Sequence, residues 1–140
     1  YLHLDSQLTQ TYLARKFALT PHSNGTASVG LPGDPSSMSR FIRAVFNSSY
    51  SVCEPHADAE LAQCFHVLNS VAQVNGCCSS EHGYTRTIYS SCCDTESGIY
   101  YYTTYENQQL TAVGLRNTDL NPGCLTSYPI RRKQSIYKEN

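Results

Sequence analysis

Apolar side chains recur with a helical period in the first half of the chain and with a period of two in the second half. In residues 4–17, Leu4, Leu8 and Tyr12 are spaced by four, which predicts an amphipathic helix. Asp5 or Ser6 can cap this helix. Residues 20–30 are rich in Pro, Ser, Asn and Gly, a composition typical of a loop.

The second predicted helix follows a turn at Pro32-Gly33. Asp34 is the predicted N-cap, because its carboxylate can accept from free N–H groups of the first turn, and Pro35 suits the first helical position. We expect this helix to reach about residue 47. Its apolar stripe, the predicted core face, consists of Met38, Phe41, Ile42, Val45 and Phe46. Arg40 lies nearly opposite that stripe, so it is predicted to lie outside the core and close to the loop.

A third helix is predicted from Asp58. Its apolar stripe consists of Leu61, Cys64, Phe65, Leu68 and Ala72. His66 lies off the stripe and is expected to be solvated. Cys64 and His66 are two residues apart and point to different sides of a helix, so they make a poor pair of nucleophile and base.

Three strands are predicted after Asn75-Gly76, over residues 84–91, 99–105 and 109–115. Turns at 94–98 and 106–107 connect them, so we expect an antiparallel meander. The tyrosines alternate along the middle strand with few cations between them, which favours a packed sheet face over a stacking platform for bases or sugars. Helices followed by strands predict an α+β fold with helices packed on one face of an antiparallel sheet.

Length and charge narrow the class of protein. The 140 residues suffice for one domain, and a net charge of −1 with a pI near 6.5 gives no electrostatic reason to expect nucleic acid as a partner. No apolar run approaches the length of a membrane span, so no membrane partner is expected. Because the chain opens at Tyr1 and its methionine, Met38, lies inside a predicted helix, we expect it to be part of a longer protein.

Seven cysteines are present: Cys53, Cys64, Cys77, Cys78, Cys92, Cys93 and Cys124. The odd number and the lack of a CxxC spacing favour reduced thiols, and therefore a cytoplasmic location, over disulfides or a metal site. The five histidines show no ligand spacing, and no phosphate-binding or dinucleotide-binding motif occurs, so no cofactor and no metal is expected. From the residues alone, Arg40 is a weak functional candidate, and an exposed charge is its simpler interpretation.

Four ordered blocks resemble the choloylglycine hydrolase family, which comprises conjugated bile acid hydrolases and penicillin V acylases. The most specific block is Gly30-Leu31-Pro32-Gly33-Asp34 followed by Ser36-Ser37-Met38-Ser39-Arg40-Phe41-Ile42-Arg43-Ala44. The other blocks are Cys64-Phe65-His66-Val67-Leu68 with Ser70-Val71, then Ile88-Tyr89-Ser90-Ser91-Cys92-Cys93 with Gly98-Ile99-Tyr100-Tyr101-Tyr102-Thr103-Thr104-Tyr105, and finally Leu110-Thr111-Ala112-Val113. The resemblance extends to Tyr128-Pro129, and the paired cysteines resemble those of gut-bacterial members.

The resemblance implies an N-terminal-nucleophile hydrolase with an αββα sandwich, of which residues 1–140 form a single partial domain at the C-terminal end. An N-terminal cysteine would attack the amide carbonyl with its own α-amino group as base, and it would lie upstream of Tyr1. Arg40 matches the family's catalytic arginine. The implied activity is hydrolysis of glycine- or taurine-conjugated bile acids by the complete protein, with the fragment alone inactive.

Two alternatives stay open. Within the family, the substrate could be penicillin V or an acyl homoserine lactone. In another class, the chain could be a non-catalytic structural or binding module with disulfides and glycans. The partners that the resemblance implies are a small-molecule amide substrate, the N-terminal part of the same protein, and further copies in a homo-oligomer.

Overall fold

The computed structural model describes residues 28, 30–117, 123 and 125–140. The predicted helix at residues 4–17 lies outside the described residues, as does Cys124. Within residues 30–117 the structure has two α-helices, five strands and a short 3₁₀-helix. Among the described residues, no helix combines the length and the apolar character that a membrane span requires.

The first described helix, α1, spans Ser37–Tyr50 and begins two residues later than predicted. Ser36 is its N-cap, with a side chain that accepts from the backbone N–H of Ser39. The prediction of Asp34 as N-cap and Pro35 as the first helical residue was therefore wrong. The reason is that Asp34 bonds the capping residues themselves: its carboxylate accepts from the Ser36 N–H at 3.0 Å and the Ser39 hydroxyl at 2.5 Å.

The apolar stripe of α1 does not form a core among the described residues, which contradicts the prediction. Met38 is 68% exposed and Phe41 is 65% exposed, whereas Ser39, on the polar side, is buried. Polar contacts decide this orientation. The Arg40 side chain donates to the carbonyl of Val71, and Asn47 Nδ2 donates to Ser70 Oγ at 2.7 Å. The polar side of α1 therefore faces the chain that follows the second helix.

The second helix, α2, spans Ala57–Asn69, close to the prediction. Its N-cap is His56, whose Nδ1 accepts from the Ala59 N–H at 3.2 Å. Phe65 is 7% exposed, and Leu61, Cys64 and Leu68 are half-buried, so that part of the predicted stripe is confirmed. Ala72 lies beyond the helix end and is exposed. The stripe packs against the sheet described next.

The predicted meander is confirmed as a three-stranded antiparallel sheet. Its strands are β3 (Tyr89–Asp94), β4 (Ile99–Thr104) and β5 (Thr111–Gly114), and the 3₁₀-helix Leu115–Asn117 follows. Cys92 pairs with Tyr101, which pairs with Ala112, so these three residues share one face. Cys64 of α2 hydrogen-bonds Cys92, which places α2 on that face. The α+β prediction is thus confirmed.

The predicted strand at 84–91 is interrupted, and a small hairpin was missed. Strands β1 (Cys78–Ser80) and β2 (Gly83–Thr85) form a separate two-stranded sheet. Between β2 and β3, Thr87 bonds the backbone of Gln73 instead of a strand: its N–H donates to the Gln73 carbonyl at 3.1 Å and its Oγ1 accepts from the Gln73 N–H at 2.8 Å. These contacts tie the start of the meander to the chain after α2.

Residues 125–140, called the tail below, have no regular secondary structure. The tail is held at Arg131, whose N–H donates to the Tyr102 hydroxyl at 3.3 Å and whose carbonyl accepts from Thr104 Oγ1 at 3.2 Å. Tyr102 belongs to the sheet face opposite Cys92. The tail therefore crosses the face that α2 does not cover.

Replacing Phe65 by alanine tests whether α2 and the meander form the core. We expect Phe65→Ala to lower the free energy of unfolding by about 3 kcal/mol, because it removes a buried aromatic ring and leaves a cavity. Urea denaturation followed by far-UV circular dichroism measures the change. Val52→Ala, at a side chain that is 91% exposed, is the control and should change the free energy by less than about 0.5 kcal/mol. Equal effects of the two substitutions would contradict the assignment of Phe65 to the core.

Candidate functional site

Arg40 lies in the first turn of α1 and is half-buried, so its interpretation as a solvated charge was wrong. Its Nε donates to the Val71 carbonyl at 2.9 Å, and its backbone N–H donates to the Ser36 carbonyl at 3.0 Å. The first bond fixes the guanidinium against the chain after α2, and the second is the first hydrogen bond of the helix. The Arg40 side chain is therefore held near its tip by the Val71 carbonyl and at its base by the helix.

The outer edge of the Arg40 guanidinium is available. In the part of the chain that the structure describes, neither terminal amino group of Arg40 has a hydrogen-bond partner, and Arg40 forms no ion pair. A guanidinium presents five N–H donors in a planar fork, of which only Nε–H is used here. The remaining edge can bind a carboxylate, a thiolate or a polarised carbonyl oxygen.

A second set of contacts holds the loop in front of α1. Arg43, one turn after Arg40, donates from Nη1 to the Pro32 carbonyl at 2.7 Å and to the Asp34 carbonyl at 2.8 Å. Gln73 donates from Nε2 to the Pro35 carbonyl at 3.2 Å. The loop is thus joined both to its own helix and to the segment that holds Arg40.

Asp34 is the anionic group of this loop. Hydrogen bonds from the side chains of Ser36 and Ser39, and from the Ser36 backbone, lower the pKa of Asp34 to about 2. The carboxylate is therefore ionised throughout the physiological range. Because it accepts from the residues that begin α1, it acts as an anchor for the helix start.

Of the residues that hold this loop and helix start, Arg40 was predicted from the sequence, whereas Arg43, Ser39 and Gln73 were not. A usable signal was present: Ser36, Ser39, Arg43 and Asn47 recur at three- and four-residue spacings and form a polar stripe on α1. Polar residues on the side opposite an apolar stripe are ordinarily solvated. The pattern therefore gave no reason to place them against another segment. Gln73 lies in a connection and carries no periodic signal.

The structure describes six of the seven cysteines. All six, which exclude Cys124, are free thiols. Burial, with a hydrogen bond to Cys92, raises the pKa of Cys64 to about 12, which keeps it a neutral thiol at physiological pH. His66 is exposed, as predicted, so no imidazole on α2 activates Cys64. Within the described residues, no group of three His, Cys, Asp or Glu side chains could hold a metal ion.

Two of the cavities formed by the described residues lie beside the sheet, and Arg40 lines neither of them. One, of about 550 Å³, separates the start of α2 from the β3–β4 turn and is lined by carboxylates that include Asp58, Glu60, Asp94 and Glu96. The other, of about 330 Å³, lies on the sheet face crossed by the tail and is lined by Tyr89, Tyr100, Tyr102, Val113, Leu115, Tyr128 and Ile130.

Removing the Ser39 hydroxyl tests the anchoring role of Asp34. We expect Ser39→Ala to raise the pKa of Asp34 from about 2 toward the ordinary value of 3.8. A lowered folded-state pKa adds stability above the ordinary pKa, and this stability is lost as the pH falls toward 2. The variant should therefore lose less stability between those two pH values than the parent chain. An NMR titration of the side-chain carboxyl carbons measures the pKa.

Asp94 is the control for that titration. Its own hydrogen bonds from Ser97 hold its pKa below the ordinary range, and Ser39→Ala should leave that pKa unchanged. An Asp34 pKa that stays at about 2 in the variant would contradict the contribution of Ser39.

Comparison with known proteins identifies relatives of the whole chain. Residues 1–128 match the model of the linear amide C–N hydrolases, choloylglycine hydrolase family. The chain is 42% identical over its full length to the bile salt hydrolase/transferase of Lactiplantibacillus plantarum, of which it covers 44%. It is 38% identical over 88% of its length to the bile salt hydrolase/transferase of Clostridium perfringens, of which it covers 38%. The chain thus spans less than half the length of these relatives.

Solved structures show the same relationship. A mutant of the conjugated bile acid hydrolase from Clostridium perfringens superposes with a TM-score of 0.71 and 35% identity, over 89% of this chain and 38% of that one. Penicillin V acylase from Agrobacterium tumefaciens gives a TM-score of 0.58 at 15% identity, over 88% of this chain and 36% of that one, which shows a shared fold. The helices and antiparallel sheets described above are therefore part of the N-terminal-nucleophile hydrolase fold. The chain belongs to the choloylglycine hydrolase family of linear amide C–N hydrolases.

Proposed function

We propose that this chain is the C-terminal part of an amide hydrolase that acts on glycine- or taurine-conjugated bile acids. The observation that carries the proposal is the guanidinium of Arg40, fixed through Nε to the Val71 carbonyl with its outer edge open. The names of the relatives at 42% and 38% identity support the substrate class. Penicillin V and acyl homoserine lactones are the weaker candidates, because the structural likeness to penicillin V acylase is at 15% identity and extends to the fold alone.

The proposed nucleophile is an N-terminal cysteine that precedes Tyr1 in the complete protein. Its thiolate would attack the carbonyl carbon of the amide, the C–N bond would break, and the amine would leave with a proton supplied by the α-amino group. Water would then hydrolyse the thioester and return the thiol. The state of Cys64, a neutral and half-buried thiol, supports an assignment of this role outside residues 30–117.

Arg40 would be a catalytic residue that touches the reacting groups. A fixed cation beside the nucleophile favours the thiolate over the thiol and stabilises negative charge as it develops on the carbonyl oxygen. Because the Val71 carbonyl and the start of α1 already hold the side chain, little reorganisation would be needed when substrate binds. This arrangement is what electrostatic stabilisation of a transition state requires.

The rest of the proposed enzyme would pack on surfaces that are open here. The exposed stripe of α1, which includes Met38 and Phe41, is an apolar helix face of the kind that packs on a sheet. The tyrosine-lined face of the sheet, which the tail crosses, is the face that α2 does not cover. This face also presents apolar side chains. Residues 1–140 would therefore form a partial domain of one sandwich. The cytoplasmic location and the homo-oligomer stay predictions.

Substitution of Arg40 in the full-length protein separates a catalytic role from a structural one. We expect Arg40→Ala to lower kcat/KM for bile acid conjugates by about a hundredfold, since a preorganised charge is lost from the transition state. The midpoint of thermal unfolding should change far less, because among the described residues the Arg40 side chain makes one hydrogen bond and Asn47 still holds the same side of α1 to Ser70. Amine release and differential scanning calorimetry measure the two quantities.

Arg86→Ala is the matched control for Arg40→Ala. Arg86 pairs with Glu106 at 3.0 Å and lies over the Tyr105 ring, so its loss also removes contacts of an arginine. Turnover should survive in this control. If activity and stability fell together in Arg40→Ala, Arg40 would be a structural residue.

The 140-residue chain on its own should release no glycine or taurine from conjugated bile acids, because the proposed nucleophile is not among its residues. A colorimetric assay of the free amine measures release, with the full-length protein as the positive control. Turnover by the isolated chain at the rate of the full-length protein would contradict the proposed location of the nucleophile.

A further inference from the structure

Arg43 makes contacts that differ in kind from those of Arg40. Both of its hydrogen bonds come from Nη1 and end on backbone carbonyls of the loop, those of Pro32 and Asp34. Within the described part of the chain, Arg43 forms no ion pair. These charge-assisted bonds hold the loop to α1. Arg43 is eleven residues from Pro32 and nine from Asp34 in the sequence.

A continuous set of hydrogen bonds leads from Arg43 to Arg40. Arg43 holds the backbone of Asp34, and the Asp34 carboxylate accepts from the Ser36 N–H at 3.0 Å. The Ser36 carbonyl in turn accepts from the Arg40 N–H at 3.0 Å. Each bond in this path shares a residue with the previous one. The position of the loop therefore determines where α1 begins, and with it the direction of the Arg40 side chain.

The loop is also bound to the segment that the tip of the Arg40 side chain contacts. The Arg40 guanidinium rests on the Val71 carbonyl, and Gln73, two residues further, donates to the Pro35 carbonyl. Loop, helix start and the 71–73 segment thus form a closed ring of contacts around Arg40. Arg43 holds the loop residues Pro32 and Asp34, which lie just before Pro35, so its loss frees the loop beside this ring. The freed Asp34 carbonyl is exposed and water can replace the guanidinium there, whereas the Pro32 carbonyl is in a part-buried bond. The expected loss of stability is therefore that of one partly buried hydrogen bond.

We propose that Arg43 is a positioning residue that acts through Arg40, a role that rests on the proposed function of Arg40 in amide hydrolysis. Arg43 fixes the loop of residues 32–36 and so keeps the Arg40 guanidinium aimed at the reacting groups. An active-site group that is displaced by about 1 Å loses much of its effect on rate, so a positioning residue affects kcat before it affects stability.

The test uses the full-length protein and a set of amide substrates that comprises glycine- and taurine-conjugated bile acids and penicillin V. We expect Arg43→Met to lower kcat about tenfold with KM within about twofold. Arg43→Lys should restore most of the rate, because an ammonium can donate to both carbonyls. Arg86→Met is the matched control and should keep the parent rate. A parallel fall of kcat and thermal stability in Arg43→Met, with no rescue by lysine, would overturn the proposal.

A double-mutant cycle distinguishes positioning from an independent effect. If Arg43 acts through Arg40, Arg43→Met should cause no further loss of rate when added to Arg40→Gln. Losses that multiply would overturn the proposal. If Arg40→Gln keeps the parent rate, the proposed function of Arg40 is wrong. If Arg40→Gln is slow and Arg43→Met is as fast as the parent, only the positioning role is wrong.

Hydrogen exchange supplies a readout that does not depend on activity. The Nε–H of Arg40 should exchange faster with solvent in Arg43→Met than in the parent and in Arg86→Met, because its bond to the Val71 carbonyl is less well held. NMR signals of arginine Nε–H groups measure this rate. Equal exchange rates in the three proteins would overturn the proposal whether or not a substrate is found.

Discussion

The hydrogen bond from Arg40 Nε to the Val71 carbonyl determines which side of α1 faces the rest of the described chain. Asn47, two helical turns later, makes the matching contact with Ser70. These bonds lie on the side of the helix on which Ser39 is buried, opposite the exposed Met38 and Phe41. A partly buried guanidinium needs acceptors, and the backbone carbonyls after α2 supply one. The rotation of α1 follows from that requirement.

The same rotation accounts for the two surfaces of α1 to which we assign proposed roles. On the inner side, the loop before α1 is bound through Asp34 and Arg43, and Arg40 is held with its outer edge free. On the outer side, an apolar stripe is left without a sheet to cover it among the described residues. A chain that spans less than half of its relatives' length would present such a stripe if the remaining part of the sandwich packed against it. Catalytic geometry and assembly would then depend on one helix orientation.

Much of the fold was predictable because it follows from local periodicity. The stripe of α2 and the alternation in β3 to β5 both describe elements that bury one face against each other. Predictions failed where a residue had several possible hydrogen-bond partners. Asp34 can cap a helix directly, but it bonds the capping residues Ser36 and Ser39 instead. Thr87 fits a strand, but it pairs with Gln73 after α2. Such choices depend on groups that are remote in sequence.

The sequence alone determined the two helices and the three-stranded meander, but not the hairpin of β1 and β2. It also determined the family and the candidacy of Arg40, which came from family resemblance more than from chemistry. Only the tertiary structure decided that the polar side of α1 is the inner side, that Arg40 is half-buried with a fixed direction, and that Arg43 holds the loop beside it. The physical reason is that periodicity records how apolar residues are distributed around a helix. It carries no information about which unpaired carbonyls another segment brings within reach.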